Sequence, residues 1–332
     1  MNSRERIRTI IAGEPADRVG FWLGNPHADS WPLYFEHFGV EIPEQVRLKL
    51  GDDYRWIPAG IYAHPEGKGL FAIEGKDRHA YAGPFAEATD VRQVDEYPWP
   101  RVEYLDFEPV LDALRNAGDY YRASGFWTPF YHNVMDLFGM ESYLVNMYEN
   151  PALVEAVTDR VCQFYYEANE RFFAAAGDLV DGFFFGNDFG TQRDLICGPQ
   201  QFDRFVMPWF RRFTDQGHRH GYQVILHSCG SIYHVIDRLI DAGVDCLHPL
   251  QALASNMDAE TLAREFKGRI AFLGGIDTQQ LLVHGSPDQV ADEVRRVKAL
   301  LGPCLIVSPS HEALLPNVPP ENIWAMSQAA LE

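Results

Sequence analysis

A short apolar run, residues 222–226, stops at His227-Ser228-Cys229-Gly230. In a strand, alternate side chains leave the same face, so the imidazole of His227 and the thiol of Cys229 point together. Those two groups supply half of a tetrahedral zinc site. The plainer alternative is a histidine bonded to a loop carbonyl beside a buried cysteine. A metal site needs a third donor. His311, after the last strand-like run, is the expected one, because in a closed barrel the last strand lies beside the first. Cys246, His248, Glu312, Asp188 and Asp277 also stand near the ends of such runs and are the other candidates.

Further chemistry-bearing residues end other apolar runs. Asn187 and Asp188 follow Val180-Asp-Gly-Phe-Phe-Phe185. A carboxylate there is costly to bury unpaired, so Asp188 is expected in a cleft, beside a cation or as a helix N-cap. Gly274-Gly275-Ile276-Asp277 lets backbone approach a ligand, and Asp277 also suits the cap of the next helix. Tyr131 and His132 follow the aromatic run 126–130, a wall that suits an organic ligand and equally a core. Tyr131, His132, Asn187 and His248 are therefore candidate substrate contacts.

Something must bring these scattered residues together. Eight apolar runs end in polar or Gly-rich tips: 18–23, 53–58, 125–129, 179–185, 222–226, 244–247, 269–273 and 304–307. Stretches of helical period, such as 200–220, 232–242, 258–266 and 286–301, separate the later ones. Eight βα units point to a (β/α)8 TIM barrel, with a doubly wound sheet as the alternative. In a barrel the tips meet at the carboxyl ends of the strands, where active sites sit. Residues 61–104, rich in Gly, Pro and aromatics, break the rhythm and read as an insertion over the barrel mouth.

Composition narrows the classes. The 332 residues are 46% hydrophobic with a net charge of −19, a surface that repels a phosphate backbone and argues against nucleic-acid binding. No apolar run approaches a membrane span, and the start, Met1-Asn2-Ser3-Arg4-Glu5, reads as a capped amphipathic helix rather than a signal peptide. A cytoplasmic protein is expected, with its five cysteines as thiols.

Several segments resemble the uroporphyrinogen decarboxylase superfamily, which holds decarboxylases and corrinoid-dependent zinc methyltransferases. These are Ala16-Asp17-Arg18-Val19, Gly198-Pro-Gln-Gln-Phe202 with Phe205-Val-Met-Pro208, Leu273-Gly-Gly-Ile-Asp277, and Pro309-Ser-His311 through Pro316-Asn-Val-Pro-Pro-Glu-Asn-Ile323. The resemblance covers nearly the whole chain and implies one barrel domain over residues 1–332, commonly dimeric. The decarboxylases carry an Arg-Gln-Ala-Gly-Arg element after the first strand. Here residues 23–29 read Leu-Gly-Asn-Pro-His-Ala-Asp, without the arginines that would grip a polycarboxylate. Asp53 falls where the decarboxylases hold their central aspartate, and His311 falls on their histidine.

The methyltransferases carry His-x-Cys and a second Cys after the last strand. This chain has His227-Ser228-Cys229, with His311 in the second position. The resemblance to this branch implies zinc held by His227, Cys229 and His311, with Asp188 and Asp277 orienting the substrate and Asp53 and His132 at its far end. The implied reaction is methyl transfer between a small methylated or thiol substrate and a corrinoid protein. No Asp-x-His-x-x-Gly motif occurs, so the corrinoid is expected on a partner. The alternatives are a metal-independent decarboxylase-like lyase using Asp53 and His311, and a barrel that binds a ligand or corrinoid protein without turnover.

Overall fold

The structure, a computed structural model, describes residues 1–72 and 82–332. Eight parallel strands form a nearly closed barrel. They are β1 (Gly20–Phe21), β2 (Tyr54–Trp56), β3 (Tyr121–Ser124), β4 (Gly182–Gly186), β5 (Gln223–His227), β6 (Cys246–His248), β7 (Ala271–Ile276) and β8 (Leu305–Pro309). Their order runs β1-β8-β7-β6-β5-β4-β3-β2, every ladder parallel. This is the expected (β/α)8 barrel.

The two-residue period of the strands separates two cores. Tyr54, Tyr121, Ala123, Phe184, Ile225, Leu273 and Ile306 form one buried cluster, the barrel interior. Phe183, Phe185, Val224, Leu226, Phe272 and Val307, on the alternate positions, join a second cluster with the surrounding helices. The helix Ser3–Ile11 closes the amino end of the barrel, and its Ile7, Ile10 and Ile11 belong to the interior cluster. Asn2 and Glu5 cap it reciprocally. Gly20 is where this plug crosses β1: a Cβ there would lie 2.4 Å from Ile7 Cδ1.

Two aspartates close the seam between β1 and β2, which share no ladder. Asp53 N–H donates to the Phe21 carbonyl at 2.9 Å. In return the Asp53 carboxylate accepts Phe21 N–H at 3.1 Å, and Asp52 accepts Leu23 N–H at 3.3 Å. The Asp53 oxygens also take Ser3 Oγ, Arg6 Nη1 and both Nη atoms of Arg18, at 2.7–3.0 Å. Asp53 therefore corrects an expectation. It precedes β2 at the amino end of the barrel, fully buried, with its carboxylate committed to the seam and nowhere near the strand tips.

The third strand also departs from expectation. The run 125–129 is not β3; the strand is Tyr121–Ser124, four residues earlier. Its outward Arg122 disguised it. That arginine is buried, its Nε 3.6 Å from Asp181 Oδ2 and its backbone N–H bonded to the same carboxylate, which lets a charged residue occupy a barrel strand. The aromatic run instead forms the loop that leads into the helix Phe130–Phe138.

The described part of the 61–104 segment pairs its ends, Ile61–Tyr62 antiparallel to Leu105–Asp106. It packs on the long helix Pro151–Ala176, where Phe71 meets Phe164 and Tyr165, and on the end of Phe130–Phe138, where Phe85 meets Phe138. Residues 73–81 of this segment lie outside the described residues. Among the described residues no helix is long and apolar enough to cross a membrane.

One surface pair makes stability depend on pH. His218 Nε2 lies 2.8 Å from Asp245 Oδ2, which also accepts Val224 N–H and so ties β5 to the start of β6. The hydrogen bond to Asp245 raises the His218 pKa, burial opposes it, and Asp215 adds to the rise. A raised histidine pKa gives stability that is full below the unfolded value and lost as pH climbs through the folded one. Thermal melts are expected to show His218→Gln less stable than the native chain at mildly acidic pH, with the gap shrinking as pH rises past neutrality. A gap independent of pH contradicts the pairing.

Candidate metal centre

The apolar strand β5 carries Ile225 into the barrel interior and, two residues on, His227, which is 3% exposed at the carboxyl end. Ladder register selects its neighbours. Gly186 of β4 pairs with His227, so Asp188 and Cys229, two residues beyond on each chain segment, come side by side. His248, the last residue of β6, pairs with His227 on the other flank.

The two nitrogens of His227 face different partners. Nε2 lies 3.2 Å from Asp188 Oδ1 and 3.3 Å from Cys229 Sγ. Nδ1 lies 2.9 Å from His248 Nδ1 and 3.4 Å from Glu312 Oε2. Two groups of possible ligand atoms thus share His227: Asp188, His227 and Cys229 on one side, and His227, His248 and Glu312 on the other, each within 4.8 Å of one another.

Backbone contacts fix the first group. Asp188 Oδ1 accepts Cys229 N–H at 2.8 Å, and Ser228 Oγ accepts Phe189 N–H at 3.1 Å. Ser231 N–H reaches the Thr191 carbonyl at 2.7 Å. Gly230, at φ 83°, lets the loop after β5 lie directly on the loop after β4, since a Cβ there would stand 2.4 Å from the Gly190 backbone.

The electrostatics follow from this crowding. Burial opposes a charge on His227, but the Glu312 carboxylate and the hydrogen bonds of Asp188 and Cys229 raise its pKa well above the ordinary value. Burial would push the Cys229 thiol up, yet His227, and then His311, hold it below its usual pKa. Burial likewise acts to raise Asp188, which His227 and the Cys229 N–H nevertheless hold well below the carboxylate range. His248 is the opposite case: burial, then the charges of His227 and His311, lower its pKa far enough to keep it neutral.

The remaining sequence candidates divide by position. His311, expected as third donor, stands beyond Cys229, its ring 6.1 Å from that of His227. The thiol is within its hydrogen-bonding reach and raises its pKa, while its Nδ1 accepts Ala313 N–H at 3.0 Å. The donor that meets both His227 and Cys229 is Asp188. The physical reason is adjacency: Asp188 follows the strand paired with β5, whereas His311 follows β8, three strands away. His132 sits by the cleft with Nε2 3.9 Å from Asp188 Oδ2, and with Trp127 it lines a cavity of about 190 Å³.

Four other candidates turn out to be structural. Asn187 is buried, accepting Tyr131 N–H at 2.9 Å and donating to the Thr128 carbonyl at 3.0 Å, a latch on the loop after β3. Tyr131 is buried against Tyr143 and Phe189 and offers the cleft nothing. His248 is fully buried behind His227, where it meets that ring rather than a substrate. Asp277 accepts the N–H groups of Gln279, Gln280 and Leu281, which spends its carboxylate on capping.

Trp127 and Gln251, not assigned a role from sequence, and Glu312, one of the alternative third donors, complete the surroundings. Trp127 lies 5.0 Å from the His227 ring, ring centre to ring centre. Glu312 supplies the charge behind His227. Gln251 accepts Gly230 N–H at 2.7 Å. Gln251 lies in the polar tip after β6, and that position was its one sequence signal.

A parallel eight-stranded barrel that gathers imidazole, thiol and carboxylate donors at the carboxyl ends of adjacent strands is a (β/α)8 protein with a candidate metal centre in the position where such barrels hold active sites. The chain belongs to the uroporphyrinogen decarboxylase family: residues 56–332 match the family described as Uroporphyrinogen decarboxylase (URO-D). No curated relative matches the chain. Among solved structures, a methyltransferase from Methanosarcina mazei superposes with a TM-score of 0.70 at 18% identity, covering 99% of this chain and 98% of that one.

Proposed function

We propose that this protein is a zinc-dependent methyltransferase or demethylase that moves a methyl group between a small methylated or thiol substrate and a corrinoid protein docking at the barrel mouth. The observation that carries the reading is the convergence of Asp188 Oδ1 and Cys229 Sγ on His227 Nε2. Sulfur, nitrogen and carboxylate oxygen on adjacent strand ends suit zinc. Glu312 Oε2 lies 3.4 Å from His227 Nδ1, on the side of the ring away from Asp188 and Cys229, and is placed to orient His227 rather than to bind the ion. Family membership and a fold shared with a methyltransferase are consistent with this chemistry.

Each residue has a task. Asp188, His227 and Cys229 hold the ion, with His311 flanking the thiol. Glu312 and His248 stand behind Nδ1 of His227 and set its ring, so that Nε2 is the nitrogen presented; partners of this kind tune metal affinity about 10–100-fold. When bound, zinc supplies Lewis-acid polarisation of the heteroatom that carries or accepts the methyl group. Trp127 and His132 wall one side of that position. A lyase acting through Asp53 is disfavoured, because Asp53 is locked in the seam at the opposite end of the barrel.

The test is metal-dependent methyl transfer. Protein purified without chelator is expected to carry close to one zinc, and methyl exchange with a free corrinoid is expected to vanish on chelation and return with zinc. Transfer that persists at less than about a tenth of an equivalent of metal refutes the reading.

A further inference from the structure

β1 and β8 pair, so the chain segments that leave them run side by side. Two backbone bonds continue the pairing past the strands. Asn25 N–H donates to the Glu312 carbonyl at 2.7 Å, and His27 N–H to the Leu314 carbonyl at 2.9 Å. Gly24, at φ 86°, permits the approach: a Cβ there would stand 2.6 Å from the Glu312 carbonyl oxygen and 3.3 Å from its Cα. The backbone of Glu312 therefore rests on the Gly24–Asn25 peptide.

That peptide is held from its other side. Its carbonyl, on Gly24, accepts Arg47 Nη2 at 2.9 Å, and Arg47 Nη1 lies 2.6 Å from Asp52 Oδ2. Arg47 belongs to the last turn of the helix Pro43–Leu50. Asp52 is buried and is fixed in turn by the N–H groups of Leu23 and Tyr54. A peptide group is planar and trans, so the guanidinium that fixes the carbonyl also fixes the direction of the N–H. An unbroken series of bonds thus joins Asp52, Arg47, the Gly24–Asn25 peptide and Glu312. The Glu312 carboxylate faces two imidazoles, His227 at 3.4 Å and His311 at 3.6 Å, so a shift of its backbone changes which one it serves.

We propose that Arg47 is a positioning residue for the metal centre: by holding the Gly24–Asn25 peptide it places Glu312 behind His227, and so sets zinc affinity without being a ligand. The effect on zinc rests on the proposed function, whereas the brace rests on its bonds alone. Arginine suits the task, because its planar fork bonds a carboxylate and a carbonyl together in fixed geometry.

A double-mutant cycle on the full-length chain tests this, with zinc affinity read by competition with a chromophoric chelator. Arg47→Met, Gly24→Ala and Glu312→Gln are each expected to weaken zinc by about tenfold. Added to Glu312→Gln, either of the other two is expected to cost less than about twofold more, since the group they position is already lost. Gly24→Ala leaves the Arg47–Asp52 pair in place and so serves where Arg47→Met folds poorly. Hydrogen exchange of the metal-free chain reads the brace without zinc. The Asn25 amide is expected to exchange at least about tenfold faster in both single variants, while the Ser228 amide, bonded to the His248 carbonyl, keeps its protection. Zinc losses that simply add to that of Glu312→Gln, or single variants with native zinc affinity, overturn the action through Glu312 and leave the zinc reading standing. Native protection of Asn25 in both variants overturns the brace itself. A native chain that takes up no zinc overturns the proposed function and the effect on affinity with it, while faster Asn25 exchange still supports the brace.

Discussion

Replacing Cys229 with serine is expected to weaken zinc binding by more than about a hundredfold, beyond the 10–100-fold that loss of a supporting residue typically costs. The thiol is the softest donor in the cluster, and His227 together with His311 holds it below its usual pKa, so it is the group best prepared to bind as thiolate. Asp188→Ala is expected to fall in the same range, because Asp188 is in contact with His227 and also accepts the Cys229 N–H. His311→Ala is expected to cost about tenfold, since it flanks the thiol without joining the three-donor group. Competition with a chromophoric chelator measures all three. A His311 variant that loses more zinc than the Asp188 variant would reverse the assignment of the third donor.

The second large effect is on folding. Asp53→Ala is expected to lower stability by about 3–5 kcal/mol, the usual consequence of removing one partner from a buried charge pair. Arg6 and Arg18 lose their shared acceptor, and Phe21 N–H loses the bond that stands in for a ladder between β1 and β2. Denaturant unfolding measures it. Zinc content and ligand affinity per folded molecule are expected to stay at native levels, because Asp53 lies at the amino end of the barrel. A variant of native stability that has lost activity would return Asp53 to the site and contradict the fold-based account.

The contrast between these residues shows what the chain disclosed on its own. His227 and Cys229 were legible because a strand's period of two is local, and the apolar run before them marks both the strand and its end. The barrel was legible for the same reason: seven of the eight strands lie within or overlap the apolar runs. The eighth, Tyr121–Ser124, hid behind Arg122, whose partner Asp181 is far away in sequence. The third donor was a question of register. Only the pairing of Gly186 with His227 places Asp188, rather than His311, against both ligands. Asp53 looked catalytic because a motif carries no information about which end of a strand it occupies. Asn187 and Asp277 were recognised as polar residues at strand tips, but whether such a side chain faces the cleft or satisfies nearby backbone depends on loop geometry that composition does not encode.

The central claim is that Cys229 is a metal ligand alongside His227 and Asp188, and X-ray absorption at the zinc edge of the zinc-loaded protein tests it most directly. The expected first shell contains one sulfur at about 2.3 Å with nitrogen and oxygen scatterers at about 2.0–2.2 Å, and the sulfur disappears in Cys229→Ser. A shell with no sulfur in the native protein, or one whose sulfur survives the substitution, would contradict the account.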